Sequence, residues 1–146
     1  MPEPQTFKNH VRFDPPWHFF VLPVLMLDVI FAAAEVVHHW GFHTPLFLWW
    51  LVMAIVAFVA VGKARGHSLK AQDRIIRLEE RLRLAALLSA EDNARSKALT
   101  ESQLIGLRFA SDAELPALAM RALNEKLTQK QIKEAINSWR PDYFRV

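Results

Sequence analysis

Asp28 and Glu35 are carboxylates set inside an otherwise apolar stretch, and His38 and His39 follow Glu35 by three and four residues. Seven residues apart, the two acids share nearly one helix face. An ionised carboxylate in the middle of hydrocarbon costs about 2.5–3.5 kcal/mol, so such residues pair, protonate or face a cavity. Three chemistries fit this stripe. Asp28 can be a protonated or hydrogen-bonded contact against a neighbouring helix, with Glu35 and the histidines near the outer headgroups. Glu35-x-x-His38 also has the carboxylate–histidine spacing of helical di-metal sites, in which other helices supply the remaining ligands of a metal ion, or a haem is held between them. Finally, Asp28, Glu35 and His39 can line a track for a proton or cation between copies of the same helix. A single chain supplies at most two or three ligands, so a closed metal site requires oligomerisation or a partner. The second span offers no charged or hydroxyl side chain from Leu46 to Val61, so a proton path would have to run between copies of the first.

The elements that would hold these groups are two apolar runs, 17–40 and 45–62, separated by Gly41-Phe42-His43-Thr44. At about 1.5 Å per residue each run approaches or exceeds the ~30 Å of a hydrocarbon core. Between Phe13 and Gly62 there is no lysine or arginine, whereas the whole chain has 18. Lys8 and Arg12 lie before the first run and Lys63, Arg65 and Lys70 after the second. The positive-inside rule therefore predicts a hairpin in a bacterial inner membrane with both termini cytoplasmic. Trp17 and Trp40 bracket the first span, and Trp49 and Trp50 lie near the outer start of the second, the depths that indoles favour. Asp14-Pro15-Pro16 and Thr44-Pro45 are helix-start signals. Pro23 predicts a mild kink. The competing reading, a cleaved signal peptide, is opposed by Asp28 within its hydrophobic region and by Glu3 and Asp14 among its cations.

Beyond Gly62 the chain turns polar. Ile75, Leu78, Leu82 and Ala85 repeat in alternating steps of three and four, a coiled-coil-like seam that can pack on the tail or on a second copy. Asp73–Arg77 and Glu79–Arg83 are expected i,i+4 pairs, and the Arg/Glu run from Arg74 to Arg83 a solvated face. Four hydroxyls then stand three residues before an acid or amide: Ser89/Asp92, Thr100/Gln103, Ser111/Glu114 and Thr128/Gln131. This is the capping-box spacing, and it predicts four short helices. Leu104, Ile105, Leu107, Leu115, Leu118, Leu123, Ile132, Ile136 and Trp139 are the candidate core. Pro116 should cost its helix one backbone bond, and the last helix should end at Arg140, before Pro141. Arg108, Asp112, Arg140, Asp142 and Arg145 are candidate salt-bridge partners.

Several function classes are disfavoured. With no cysteine among 146 residues, disulfides and thiolate chemistry are excluded. From Lys63 onward there are 16 Lys/Arg against 11 Asp/Glu, an excess of 5 too diffuse for a nucleic-acid partner but compatible with an anionic lipid surface. No glycine-rich phosphate loop and no nucleophile–base pair occurs, which argues against an enzyme.

The chain resembles a family of small two-span bacterial membrane proteins of unknown function along nearly its whole length. The resemblance is carried by Asn9-His10-Val11-Arg12-Phe13, Trp17-His18-Phe19, Gln72-Asp-Arg-Ile-Ile-Arg-Leu-Glu-Glu-Arg-Leu-Arg-Leu, Gln103-Leu-Ile-Gly-Leu-Arg-Phe-Ala-Ser-Asp-Ala-Glu-Leu and Trp139-Arg-Pro-Asp-Tyr-Phe-Arg-Val. It implies an inner-membrane location and a helical cytoplasmic tail, and it implies no activity. The expected architecture is all-α: a lead-in (1–13), a transmembrane hairpin (14–66), an amphipathic stalk helix continuing from span two (67–88) and a small helical domain (89–146). The expected role is a membrane scaffold or accessory subunit that forms a homo-oligomer or joins a larger membrane complex without a cofactor. The alternative is the metal-, haem- or proton-handling oligomer.

Overall fold

A computed structural model describes residues 5–10 and 14–142. Arg12 and Arg145, read above as a flanking cation and a salt-bridge partner, lie outside them. The fold is all-α: α1 (Leu22–His38), preceded by a π-helical turn Trp17–Val21, then α2 (Thr44–Leu87), α3 (Ala90–Ser96), α4 (Glu101–Leu107), α5 (Leu115–Asn124) and α6 (Gln129–Ala135). No named strand occurs among the described residues; a single antiparallel bridge joins Ala110 to Trp139. The chain divides into two compact units, one of residues 14–69 and the other of residues 5–10 with 70–142. Helix α2 contributes to both.

In the first unit the helices form an antiparallel hairpin. Arg65 bonds Asp14 at 2.8 Å and lies 5.6 Å over the Trp17 ring, Phe31 meets Trp50 edge-on at 5.7 Å, and His39 stacks on Phe47 at 4.7 Å. The connecting turn needs Gly41, whose φ of +138° would strain any side chain. Thr44 closes the turn by accepting the Gly41 N–H at 2.6 Å. A π-helical turn precedes Pro23, where the kink was expected. Pro23 has no N–H for the Phe19 carbonyl, and the Leu22 N–H reaches back five residues to Trp17 O, which locally widens the helix. The stretches Trp17–His38 and Thr44–Leu87 are both long and apolar enough to cross a membrane, and their most apolar windows are only 11% and 6% buried.

In the second unit α3–α6 wrap a core of Leu84, Leu99, Leu104, Leu107, Phe109, Leu115, Leu118, Ile132 and Ile136. Two expected capping boxes form in full, at Thr100/Gln103 and Thr128/Gln131; Ser89 accepts the Asp92 N–H. The Ser111 box does not form. Glu114 turns its carboxylate away to accept from the Asn137 N–H, the Asn137 side chain and the Ser138 N–H at 3.0–3.1 Å, so α5 starts at Leu115 without a side-chain cap. Pro116 then falls in the first turn, where its missing N–H costs nothing. Helix α6 also ends earlier than expected, at Ala135. Ile136 is extended, Asn137 and Ser138 bend, and the chain is then held by Ser111 N–H bonding Ser138 O and Arg140 N–H bonding Phe109 O. Residues 5–10 belong here too: Gln5 exchanges two hydrogen bonds with the Asp142 backbone, and the His10 ring lies 5.7 Å from both Phe109 and Trp139.

Candidate functional site

Two polar constellations stand out, one within each unit. In the hairpin, Asp28 and Glu35 are half-buried on the side of α1 that also buries Ala32 and Val36. The four-residue steps from Asp28 to Ala32 to Val36 explain this, since such residues stack along one helix face. Interpolating between the Trp17–Arg65 and Phe31–Trp50 contacts sets Asp28 level with Met53 and Ala54, and Ala54 is buried. Helix α2 carries no charged or hydroxyl side chain from Leu46 to Val61. Accordingly, the Asp28 carboxyl makes no hydrogen bond or ion pair among the described residues.

Glu35 is different. Its Oε2 lies 3.1 Å from His39 Nε2, an i,i+4 contact, and His39 is held by its stack on Phe47. His38, the residue at the expected metal-site spacing, is exposed and turns its ring edge-on to His39 at 4.8 Å. No group of three His, Asp or Glu side chains able to hold a metal ion occurs among the described residues. The four indoles are distributed unequally. Trp17 is half-buried under Arg65 and Trp50 against Phe31, while Trp40 and Trp49 are exposed.

The second constellation is centred on Glu80, which is 4% exposed. Ile76, Glu80 and Leu84 are spaced four apart, so the face of α2 that buries its two apolar residues carries the carboxylate in with them. Arg83 Nη1 donates to Glu80 Oε2 at 3.1 Å, and Arg140 Nη1 lies 3.9 Å from Oε1. Arg83 also donates to Asp112 Oδ1 and to Ala110 O, both at 2.6 Å. One guanidinium thus ties α2 to the chain after α4, beside the bridge to Trp139. Burial pushes the Glu80 carboxyl above its ordinary value, against the charge and hydrogen bond of Arg83 and the more distant Arg140. A second buried guanidinium, that of Arg108, lies 4.5 Å over the Phe109 ring with Nε 3.4 Å from Asp142.

The run from Arg74 to Arg83 is therefore not uniformly solvated. Arg83 pairs with Glu80 and Asp112 in place of the expected Glu79, and neither expected i,i+4 pair is formed among the described residues. Arg108–Asp142 and Arg83–Asp112 draw on the residues singled out as salt-bridge partners. Glu80 was not among them, although the spacing of Ile76 and Leu84 around it was a readable signal. The expected seam of Ile75, Leu78 and Leu82 faces away from this packing and is exposed.

A family match spans residues 1–146. The chain belongs to the family of unknown function DUF6526. No curated protein and no solved structure matches it. Arg83 and Glu80 join elements of one folded unit, which is a structural role. Asp28 has no such role within its hairpin.

Proposed function

We propose that the protein is a non-enzymatic integral membrane scaffold or accessory subunit that self-associates or joins a larger membrane complex, with Asp28 as a polar contact to a neighbouring helix. Its hairpin crosses a bacterial inner membrane and both termini lie in the cytoplasm. The observation that carries this reading is Asp28 itself: half-buried in a 22-residue apolar helix, with no hydrogen-bonding partner among the described residues. In hydrocarbon a polar group without a partner is costly, and a neighbouring helix that hydrogen-bonds it recovers part of that cost. Support also comes from the apolar side chains left uncovered on both helices, Phe19, Leu27, Ile30, Val37, Leu46 and Val56 among them. The lysines and arginines confined to the outer flanks support the orientation.

The test compares Asp28→Asn and Asp28→Leu in full-length protein extracted directly into lipid nanodiscs. Asn keeps a hydrogen-bonding group and should preserve the assembly; Leu removes it and should shift the particles to smaller mass. A wild-type particle holding one copy and no co-purifying protein overturns the proposal.

A further inference from the structure

Helix α2 has two apolar stripes in its 70–87 segment, and the fold uses only one of them. Glu80, Arg83 and Leu84 pack on the tail, and Ile76 is buried on the same side. On the opposite side, Ile75, Leu78 and Leu82 are 58%, 60% and 64% exposed. Ala71 and Ala85 extend this second stripe, so its steps run four, three, four, three. In heptad terms Ile75 and Leu82 occupy a, and Ala71, Leu78 and Ala85 occupy d. The residues packed on the tail then fall at b, c and f. One helix thus presents its b/c/f side to its own tail and leaves its entire a/d side open.

The flanking charges say what fits there. Arg74 and Arg81 occupy g, and Gln72, Glu79 and Ala86 occupy e. In a parallel pair, each g position faces the e position five residues later on the other helix. This sets Arg74 against Glu79 of a second copy, twice by symmetry, and Arg81 against the neutral Ala86. In an antiparallel pair g faces g and e faces e, which opposes arginine to arginine. Glu79 and Arg74 are both exposed and make no ion pair among the described residues, because Arg83 is committed to Glu80 and Asp112. In the first heptad, Ile75 at a followed by Leu78 at d favours two strands.

We infer that the Ile75–Leu78–Leu82 face of α2 is a docking surface for a second copy of this chain, paired parallel as a two-stranded coiled coil with Arg74 opposite Glu79. This deepens the self-association proposed above. Two copies inserted in one membrane in the same sense carry their α2 helices in the same direction. Two heptads are too few to hold freely diffusing helices together, and confinement to a membrane supplies the local concentration that they lack.

The chain has no cysteine, so single substitutions report only their own position. Leu78→Cys, Leu82→Cys and, as a control on another exposed side, Arg77→Cys are introduced separately into full-length protein in native membranes and oxidised with diamide. In a parallel pair every seam residue meets its own counterpart. Disulfide dimers should therefore form at both 78 and 82 and not at 77. Glu79→Arg, added to either seam variant, should weaken dimer formation by about tenfold, and Arg74→Glu in the same chain should restore it. Crosslinking at only one seam position, or to a different protein, overturns the inference. So does its absence at both while the nanodisc particles still hold several copies; that result leaves the role of Asp28 standing. Particles holding one copy and no partner remove both.

Discussion

Replacing Arg83 by methionine breaks the Glu80–Arg83 pair that α2 buries against the tail. Methionine keeps most of the unbranched stem, so the change removes the guanidinium with little loss of packing volume. Glu80 would then be left 4% exposed, with Arg140 at 3.9 Å as its remaining cation. Breaking a buried pair by removing one member costs about 3–5 kcal/mol, a large part of the 5–15 kcal/mol that stabilises a typical domain. The lost bonds to Asp112 and Ala110 fall within that range. The penalty should depend on pH. Burial already holds the Glu80 carboxyl above its ordinary value of about 4.5. A raised acid pKa means that the folded state binds more protons, so the contribution of Glu80 is fully present below the ordinary value and is lost as pH rises through the raised one. Removing Arg83 deletes the strongest opposing influence and raises the carboxyl further. The variant should therefore be least destabilised near pH 5 and most destabilised above neutrality. Hydrogen exchange of the full chain in nanodiscs, read at the amides of α4 and corrected for intrinsic rates, reports this locally. Glu80→Leu added to Arg83→Met should recover much of the loss, because no uncompensated charge remains. A loss of protection below about tenfold at pH 7.5, or an equal loss at pH 5 and pH 7.5, refutes the reasoning.

Three further outcomes follow from the packing of the tail. Leu84→Ala should lower stability by about 2–5 kcal/mol, whereas Leu82→Ala, two residues away on the open face, should leave the exchange of α4 unchanged; equal effects contradict the assignment of the two stripes. A Cβ on Gly106 would lie 3.3 Å from Gln129 O and from Ile132 Cβ. Gly106→Val should therefore force α4 and α6 apart at a cost of about 1–3 kcal/mol, visible as faster exchange in α6. Thr128→Ala removes the hydroxyl of a complete capping box and should cost about 1 kcal/mol, while Thr128→Ser should cost little. A common loss in both variants points to the Thr128 methyl group instead of its oxygen.

Much of this was readable from the chain by local rules. The 50-residue gap in lysine and arginine from Phe13 to Gly62 marks the apolar helices, since hydropathy and length need no tertiary context. Thr100/Gln103 and Thr128/Gln131 announced their helices for the same reason: a capping box is satisfied within four residues. Where distant residues competed for one group, local rules failed. Glu114 had a local partner in Ser111 but serves the backbone N–H groups of Asn137 and Ser138, which only folding brings near. Residues 5–10 read as a lead-in and instead pack with Phe109, Trp139 and Asp142, a contact across more than 90 residues of chain.

The polar stripe of Asp28, Glu35, His38 and His39 was evident from composition alone, because an acid in an apolar helix is conspicuous whatever surrounds it. Which of these side chains finds a partner depended on the hairpin: Phe47 positions His39 for Glu35, and the facing part of α2 offers Asp28 nothing. The same division holds for α2. Its helicity and both of its apolar stripes are properties of residue spacing, and spacing is local. Which stripe the tail covers, with Glu80 and Arg83 drawn inside it, is a property of packing, and packing compares residues that the sequence keeps apart.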